Sequence, residues 1–234
     1  EVAIGADLCA VQEAADFMKE VPNEHPWLGT SCCPAWSVMA KKTYPEYADC
    51  ISMALTPMVL TGRMTKKQHP DCKVVFIGPC AAKKLEASRK SVRSDIDFVL
   101  TFEEMMGIFD AKNIEFDKLE VEEPLNTSSS LGKGFAASGG VAAAVVNAIN
   151  CLEPEREVKT VKAEGLKECK TMLAKAKAGM YDGYLLEGMA CPGGCMGGAG
   201  VLADVRKATM GLEQQKKTST FEKPSRSDYL KYLH

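Results

Sequence analysis

Short apolar runs alternate along the chain with longer stretches in which apolar residues recur every three or four positions. The short runs, rich in valine, leucine, isoleucine and phenylalanine, predict β-strands, whereas the longer period is typical of amphipathic helices. Thr101-Phe-Glu-Glu104 adds a capping box, a sequence signature of a helix start. Strands are predicted over residues 2–4, 73–77, 97–101, 158–162 and 181–186, and helices over residues 7–20, 44–67, 102–112, 138–151 and 166–179.

The repeated order of strand and helix predicts an α/β fold with mostly parallel sheets flanked by helices. We expect two lobes, residues 1–119 and 134–205, with a cofactor in the cleft between them. Acidic residues, Pro124 and three consecutive serines mark residues 120–133 as the linker between these lobes. After residue 205 the chain becomes polar and rich in lysine, which predicts that residues 206–234 form a tail that wraps around the domain or is disordered.

The near balance of basic and acidic residues argues against partners that bind mainly through a large overall charge. The chain has 29 basic and 31 acidic residues, so no overall field favours nucleic acid or a membrane surface. No apolar run reaches the roughly 20 residues that a membrane-spanning helix needs, and the first residues do not have the pattern of a secretory signal. We therefore expect a cytoplasmic protein.

Ten cysteines in 234 residues indicate disulfides, a metal site or catalysis. A disulfide scaffold is usually short and rich in loops, whereas this chain is long and helix-forming. Zinc would favour closely paired cysteines or cysteine with histidine, but the chain has only three histidines and no Cys-x-x-Cys pair. An iron–sulfur cluster held by thiolates from distant segments fits the spacing.

Three Cys-Pro or Pro-Cys steps lie where a predicted strand gives way to a predicted helix, and the positive end of a helix dipole favours an anionic cluster there. Cys191 and Cys195 are four residues apart and would share one face of a helix. With Cys33 and Cys80 they supply the four thiolates of a 4Fe-4S cubane. Neighbouring side chains of an extended segment point in opposite directions, so Cys32 and Cys33 should not both bind one iron, and one of them is free for another task.

The segments that carry these cysteines resemble the three signature motifs of the iron-iron hydrogenases, in the same order, and the resemblance extends to about residue 200. A fourth segment, Ser138-Gly-Gly140, is a glycine-dense turn without cysteine. The three matching motifs are Thr30-Ser-Cys-Cys-Pro-Ala-Trp36, Pro79-Cys-Ala-Ala-Lys83 and Met189-Ala-Cys-Pro-Gly-Gly-Cys195.

The resemblance implies an H-cluster, in which a 4Fe-4S cubane is joined through a cysteine thiolate to a two-iron subcluster with CO, cyanide and azadithiolate ligands. It implies that Cys33, Cys80 and Cys191 hold the cubane, while Cys195 holds it and bridges to the two-iron unit. Lys83 would donate a hydrogen bond to a cyanide ligand. The remaining cofactor-binding positions that the resemblance implies are Phe135, Met189, Ser138 and Pro79.

The resemblance also implies a proton relay. Cys32 is similar to the family's terminal proton donor. Glu13 and Asp16, three residues apart on a predicted helix, match the two relay carboxylates, with aspartate replacing the usual glutamate at the outer position. Ser52 matches the relay hydroxyl. The shorter Asp16 would leave a gap that a water molecule fills.

The chain departs from the family pattern at three points. Gly78 stands where the best-studied members have methionine, a feature of divergent subgroups that include sensory proteins. The upstream strand and Ala-Pro-Ser turn have no counterpart here, so either another chain or segment supplies them or the pocket is partly open. The chain also has no ferredoxin-type cysteine run. Electrons would therefore come from a ferredoxin, another redox protein or a fused iron–sulfur domain, and dedicated maturation enzymes would insert the cofactor.

The function expected from the resemblance is reversible reduction of protons to H2. Two alternatives remain open: an H2 sensor, which Gly78 favours, and an iron–sulfur assembly protein of the hydrogenase-like kind. Retention of Cys32 counts against the sensors, and the combination of Cys32, Lys83 and Cys195 counts against the assembly proteins. Isolated cysteines are usually small buried hydrophobes, and no role is assigned to Cys9, Cys50, Cys72, Cys151 and Cys169.

Overall fold

A computed structural model describes residues 1–120 and 126–233 of the chain, which form an α/β fold with two parallel sheets. A three-stranded sheet has the order β1-β5-β4, and a two-stranded sheet joins β2 to β3. All three strand pairings are parallel, as the alternation of strands and helices predicts. The strands are β1 (Leu28–Gly29), β2 (Val75–Gly78), β3 (Phe98–Thr101), β4 (Lys159–Glu164) and β5 (Tyr184–Met189).

Helices surround both sheets. The longest is α1, whose buried side carries small residues and one aromatic side chain, a pattern that lets neighbouring helices pack closely. Its N-terminal half contacts two other helices, α3 and α6, and it also packs against α7. The α-helices are α1 (Ala3–Glu20), α2 (Pro34–Thr43), α3 (Pro57–Gln68), α4 (Ala82–Ala87), α5 (Phe102–Ala111), α6 (Ser130–Gly134), α7 (Gly140–Leu152), α8 (Leu166–Lys177) and α9 (Val205–Lys217).

The three-stranded sheet is covered on both faces. Successive residues of its central strand point to opposite faces, so Leu185 joins the core that contains α1 and α7, while Leu186 joins the core that contains α2 and α8. Both leucines are fully buried. Gly188 provides close packing, because a Cβ atom there would lie 2.1 Å from the ring of the buried Trp36. This double covering is expected for a parallel sheet.

The two-stranded sheet is covered less completely. Its inner face packs on a small core that includes Met58 and Ile96. The side chains of Val75, Ile77 and Phe98 are instead 44%, 44% and 61% exposed. The neighbouring helix α5 has no fully buried residue.

The predicted strands at 73–77, 97–101, 158–162 and 181–186 correspond to β2, β3, β4 and β5, although the last two begin and end later than predicted. The predicted strand at 2–4 is wrong, because Ala3 and Ile4 form the first turn of α1. The predicted helix at 44–67 is interrupted by an extended segment. Ile51 in that segment forms a β-bridge with Gly29, and tertiary pairing overrides the helical pattern there.

Part of the predicted linker, residues 121–125, lies outside the described residues. At its described end, Ser129 is fully buried, and its backbone N–H donates to Asp7 Oδ2 at 2.9 Å. The three-stranded sheet takes β1 from the predicted first lobe and β4 and β5 from the second, so it crosses the predicted boundary. The division into lobes stays a prediction. Within the predicted tail, α9 packs against α6, and Tyr229 and Leu230 contact the core around α1.

Among the described residues, the helices are all too short or too polar to cross a membrane.

Candidate metal centre and proton relay

Four cysteines from three chain segments converge beyond the carboxyl ends of the strands. Cys33 follows β1, Cys80 follows β2, and Cys191 and Cys195 follow β5. Burial, followed by the nearby charges of Cys33 and Cys80, raises the pKa of Cys195 to about 12. Burial and the same two charges also raise the pKa of Cys191. The four thiols therefore lie near enough to influence one another's ionisation.

Backbone contacts hold the three cysteine segments against one another. The N–H of Ala190 donates to Cys33 Sγ at 3.5 Å, which joins the first segment to the third. The N–H of Gly200 donates to the carbonyl of Pro79 at 3.0 Å, which joins the third segment to the second. Pro34 occupies the first turn of α2, as predicted from the Cys-Pro step. The positions of the cysteines therefore depend on the whole fold.

The turn that carries Cys191 and Cys195 is not the α-helix that the spacing predicts. Residues 190–193 form bends and turns, followed by a 3-10 helix at Gly194–Gly197. Gly193 and Gly194 have φ angles of 79° and 66°, in the left-handed region that glycine adopts most easily. A Cβ atom on Gly194 would also lie 2.8 Å from the carbonyl oxygen of Ala136. Glycine is therefore required for both conformation and close packing.

Cys32 and Cys33 pack against different cores. Cys32 contacts the core around α1 and α7, whereas Cys33 contacts the core around α2 and α8. The two neighbouring thiols thus lie on opposite sides of the segment, in agreement with the alternation predicted for extended chain. Burial, followed by the charge of Glu13, raises the pKa of the Cys32 thiol well above its ordinary value.

Lys83 is buried beside the first cysteine segment. Its Nζ atom donates to the carbonyl of Cys32 at 3.4 Å and to Glu86 Oε2 at 2.8 Å. The side chains of Lys83 and Glu86 are only 10% and 5% exposed. The ammonium group of Lys83 is therefore buried at the predicted cofactor-binding position, and the carboxylate of Glu86 balances its charge.

The other predicted cofactor-binding residues lie around Cys195. Phe135 and Met189 are buried in the same core that Cys32 contacts, and the N–H of Cys195 donates to the carbonyl of Ala136 at 2.8 Å. Ser138 Oγ is buried and has no hydrogen-bond partner among the described residues. Pro79 lies with Cys195 along a small apolar cavity. The structure thus surrounds the bridging-cysteine position with apolar side chains and one unpaired hydroxyl group.

Glu13 forms the inner part of the predicted relay. Its Oε1 atom accepts hydrogen bonds from the backbone N–H of Ser31 at 2.5 Å and from Ser31 Oγ at 2.7 Å. Its Oε2 atom is buried and has no partner in the part of the chain that the structure describes. Burial raises the pKa of Glu13 to about 7, despite the opposing effect of the hydrogen bonds from Ser31. A carboxyl group with this pKa can gain or lose a proton near neutral pH.

Asp16 and Ser52 form the outer part. Ser52 Oγ donates to Asp16 Oδ2 at 3.0 Å, so this pair needs no intervening water, contrary to the gap predicted from the shorter side chain. Burial raises the pKa of Asp16. Ser52 is held beside β1 because its N–H donates to the carbonyl of Gly29 at 2.9 Å. The direct partner of Glu13 is Ser31, so the two parts of the relay are separate hydrogen-bonded pairs.

The sequence interpretation assigned no role to three residues that shape this site. Ser31 binds Glu13, Glu86 binds Lys83, and the fully buried Glu187 accepts from the N–H groups of Gly139 and Ala142 at the start of α7. The role of Glu86 could have been predicted from the sequence, because it lies three residues after Lys83 on a helix, a spacing that favours an ion pair. Ser31 lies within the first quoted cysteine segment and Glu187 lies two residues before the third, but only the folded structure reveals their partners.

The donor set suits an iron–sulfur cluster. All ten cysteines are free thiols, and the four at the site, which come from three segments, match the one thiolate for each iron of a 4Fe-4S cluster. No group of three or more metal-binding side chains in the described residues is arranged to hold a single metal ion. The backbone N–H of Ala190 also points a donor at Cys33 Sγ, which stabilises thiolate charge.

Residues 1–199 match the family described as the iron only hydrogenase large subunit, C-terminal domain. Iron hydrogenase 1 from Clostridium pasteurianum is 29% identical over 242 residues, which cover 86% of this chain and 42% of that relative. Cytosolic Fe-S cluster assembly factor NAR1 from Kluyveromyces lactis is 29% identical over 161 residues, which cover 64% of this chain and 34% of that relative. The chain therefore spans less than half the length of both relatives.

A solved structure of an apo FeFe-hydrogenase from Chlamydomonas reinhardtii superimposes with a TM-score of 0.79 at 21% identity. The match covers 99% of this chain and 78% of the other. It confirms the predicted α/β architecture with parallel sheets flanked by helices.

Proposed function

Because the chain belongs to the C-terminal-domain family of the iron-only hydrogenase large subunit, we propose that it is a hydrogenase catalytic domain that interconverts protons and electrons with H2. The relatives include hydrogenases and iron–sulfur assembly factors, so family membership leaves both functions open. The observation that favours catalysis is a buried carboxyl group near Cys32, that of Glu13, together with a half-buried one nearer the surface, that of Asp16, each held by a hydrogen bond from a serine.

The residues of the site fit an H-cluster. Cys33, Cys80 and Cys191 would hold the cubane, and Cys195 would hold it and bridge to the two-iron unit. The unpaired hydroxyl of Ser138 and the buried ammonium of Lys83 would donate hydrogen bonds to the cyanide ligands. When bound, the cofactor supplies the redox chemistry of hydrogen, while the protein contributes ligands, orientation and electrostatics.

Apolar side chains line the space around Cys195. Phe135 and Met189 are 7% and 3% exposed and form part of a continuous apolar core. In such surroundings a hydrogen bond from Lys83 is stronger than it would be in water. Glu86 compensates the lysine charge, which makes the burial of this ammonium group less costly.

The proton relay uses the two hydrogen-bonded pairs. Cys32 would exchange a proton with the cofactor and recover it from Glu13, whose pKa of about 7 suits repeated transfer. Ser31 orients the Glu13 carboxylate through two hydrogen bonds. Ser52 and Asp16 would connect the relay to solvent, because Asp16 is only half-buried.

The remaining parts of the proposal concern partners and location. A ferredoxin-type protein or a fused iron–sulfur domain would supply electrons to the cubane. Maturation enzymes would insert the two-iron unit, and the protein would work in the cytoplasm. A further chain or segment would complete the pocket if the family's upstream turn is needed.

Infrared spectroscopy and a hydrogen-evolution assay of anaerobically matured protein test the proposal. We expect CO and cyanide bands together with turnover. Replacement of Cys32 by alanine should keep the bands and reduce turnover by at least about 100-fold, as expected for loss of a proton donor. Cys50→Ala is the matched control, since Cys50 is buried in the core around α2 and α8 and has no role in the relay. Equal turnover in Cys32→Ala and unmodified protein would contradict the relay.

An iron–sulfur assembly role is the second candidate, because the relatives include the assembly factor NAR1. Iron analysis separates the two functions. Four irons per chain without CO bands, after maturation with the insertion enzymes, would refute the hydrogenase proposal and support the assembly role. CO bands with turnover would exclude the assembly role as the main function.

A further inference from the structure

A cavity of about 140 Å³ with a mixed polar and apolar lining lies beside the two hydrogen-bonded pairs of the relay. Ser31, the partner of Glu13, and Ser52, the partner of Asp16, both line it. Gly29, the last residue of β1, pairs with Ile51 and accepts the N–H of Ser52, and this pairing brings the two serines to the same space. The cavity is therefore in contact with the inner and outer parts of the relay.

The lining of this cavity suits water. A liquid water molecule occupies about 30 Å³, so the cavity has room for several. Four of the lining hydroxyl groups belong to residues that are at most 9% exposed, and Thr56 Oγ1 has no hydrogen-bond partner in the described part of the chain. A buried hydroxyl group without a protein partner normally binds water. The hydroxyl-bearing residues of the lining are Ser31, Ser37, Ser52, Thr56 and Ser91.

The cavity also reaches the surface away from Asp16. Met53, Arg89 and Ser91 are exposed and line its outer end. Lys41 lies at the same end, and burial lowers its pKa. Asp16 is absent from the lining. The opening is thus distinct from the one that Asp16 would provide.

We propose that this cavity is a second proton entrance, through which water delivers protons to Ser31 and Glu13 without passing Asp16. The inference rests on the proposed hydrogenase function. A water in the cavity gives a proton to Ser31 Oγ while Ser31 passes its own proton to Glu13 Oε1. One proton thus enters from solvent for each proton that Glu13 receives, and the serine ends unchanged.

The activity test compares variants of matured protein. Asp16→Ala should lower turnover but leave it at least about tenfold above that of Cys32→Ala, because water in the cavity still delivers protons, whereas removal of a required proton-transfer group costs roughly 100-fold. Adding Ala54→Leu should lower turnover to the level of Cys32→Ala, because Ala54 lines the cavity and leucine would fill it. Ala54→Leu alone should have little effect, since the path through Asp16 remains.

A loss in Asp16→Ala as large as that in Cys32→Ala would overturn the second entrance while leaving the hydrogenase function intact. Absence of CO bands and turnover in the unmodified protein would instead refute the hydrogenase function, and the second entrance with it.

Thermal unfolding of cofactor-free protein gives an independent measurement. Thr56→Val keeps the shape of the side chain but removes its unpaired hydroxyl group. If the cavity holds water, the unfolding temperature should stay the same or fall, because a hydrogen bond to water is lost. A rise would show a dry cavity and overturn the proposal. Thr61→Val is the control, since the Thr61 hydroxyl donates to the carbonyl of Pro57 outside the cavity.

Discussion

The three-stranded sheet with its helices and the two-stranded sheet with its helices are each followed by cysteines that are proposed as ligands, but the two sheets are stabilised differently. The larger sheet buries both faces and packs Leu185 and Leu186 into two separate cores. The smaller sheet leaves apolar side chains such as Ile77 partly exposed and is tied by ion pairs, including Arg63 with Asp95 at 2.9 Å. The half that holds Cys80 and Lys83 is thus the less stable side of the site, since local stability follows buried apolar contact.

Truncation of one apolar residue in each sheet, buried in the larger and partly exposed in the smaller, should show the largest difference. Leu186→Ala should lower the free energy of unfolding by about 2–5 kcal/mol, because it leaves a cavity between β5 and α8. Ile77→Ala should cost about 1 kcal/mol or less, since Ile77 is already 44% exposed. Denaturant unfolding of cofactor-free protein measures both values. Equal losses would show that the smaller sheet is as well packed as the larger one.

The two halves should also respond to pH with opposite signs. Burial raises the pKa of Glu13 in the larger half from 4.5 to about 7. The folded protein then binds the proton more tightly than the unfolded chain. The stabilisation that Glu13 contributes is therefore fully present below about pH 4.5 and is lost as the pH rises to about 7. The loss amounts to about 3 kcal/mol at most. In the smaller half, hydrogen bonds from Lys66 and Val74 hold the pKa of Asp97 below its usual range, so stability is lost only when the pH falls below about 4.

Glu13→Gln should therefore flatten the decline in stability between pH 4.5 and 7, and the pH dependence of the denaturation midpoint measures this. Part of the decline should remain, because burial also raises the pKa of Asp7 to about 6. Asp97→Asn is the control and should change the curve only at acidic pH. An unchanged slope in Glu13→Gln would mean that Glu13 is ionised in the folded state.

Replacement of one glycine by alanine in each half should change the stability of the protein in opposite directions. Gly188→Ala should destabilise the protein by about 1–3 kcal/mol or more, because the new Cβ atom would lie 2.1 Å from Trp36. Gly107→Ala in α5 meets no atom within 4 Å and should stabilise the protein by about 0.5–1 kcal/mol through helix propensity. Thermal unfolding distinguishes them. Destabilisation by Gly107→Ala would show that a further contact covers α5.

The smallest effect concerns the capping box of α5, which the sequence predicts and the structure confirms. Thr101→Ala should cost about 1 kcal/mol, because the backbone N–H of Glu104 loses its acceptor. Glu103→Gln, in the same turn but outside the box, should change stability by only a few tenths of a kcal/mol. Chemical denaturation checks both. A larger loss in Glu103→Gln would contradict the assignment of the cap.

The sequence predicts more of the regular elements than of the contacts between them. The strands around Phe76, Val99, Val161 and Leu185 follow from apolar runs bounded by turn residues. The two-residue strand β1 has no periodic signal and depends on its pairing with β5. Gly29 of β1 also forms the β-bridge with Ile51, which is why Ile51 is extended where the sequence predicts a helix. Such long-range contacts lie outside any local pattern.

In the candidate site, too, local motifs are predictable from the sequence, whereas the contacts between distant residues are not. The cysteine segments and the relay carboxylates are recognisable in the sequence, and the structure brings Cys33, Cys80, Cys191 and Cys195 to one place. Their roles stay predictions. The partners that orient them, such as Ser31 for Glu13, are ordinary polar residues whose importance depends on a fold that joins positions 18 residues apart.

The placement of Cys32 and Cys33 against different cores has a consequence for how this segment can change in evolution. A deletion or insertion of one residue between Gly29 and Cys33 would rotate the backbone by one position and exchange the sides that the two thiols face. The proton donor would then stand where the iron ligand belongs. Substitutions elsewhere in the segment alter one contact at a time, whereas a change in its length would exchange two chemical roles at once.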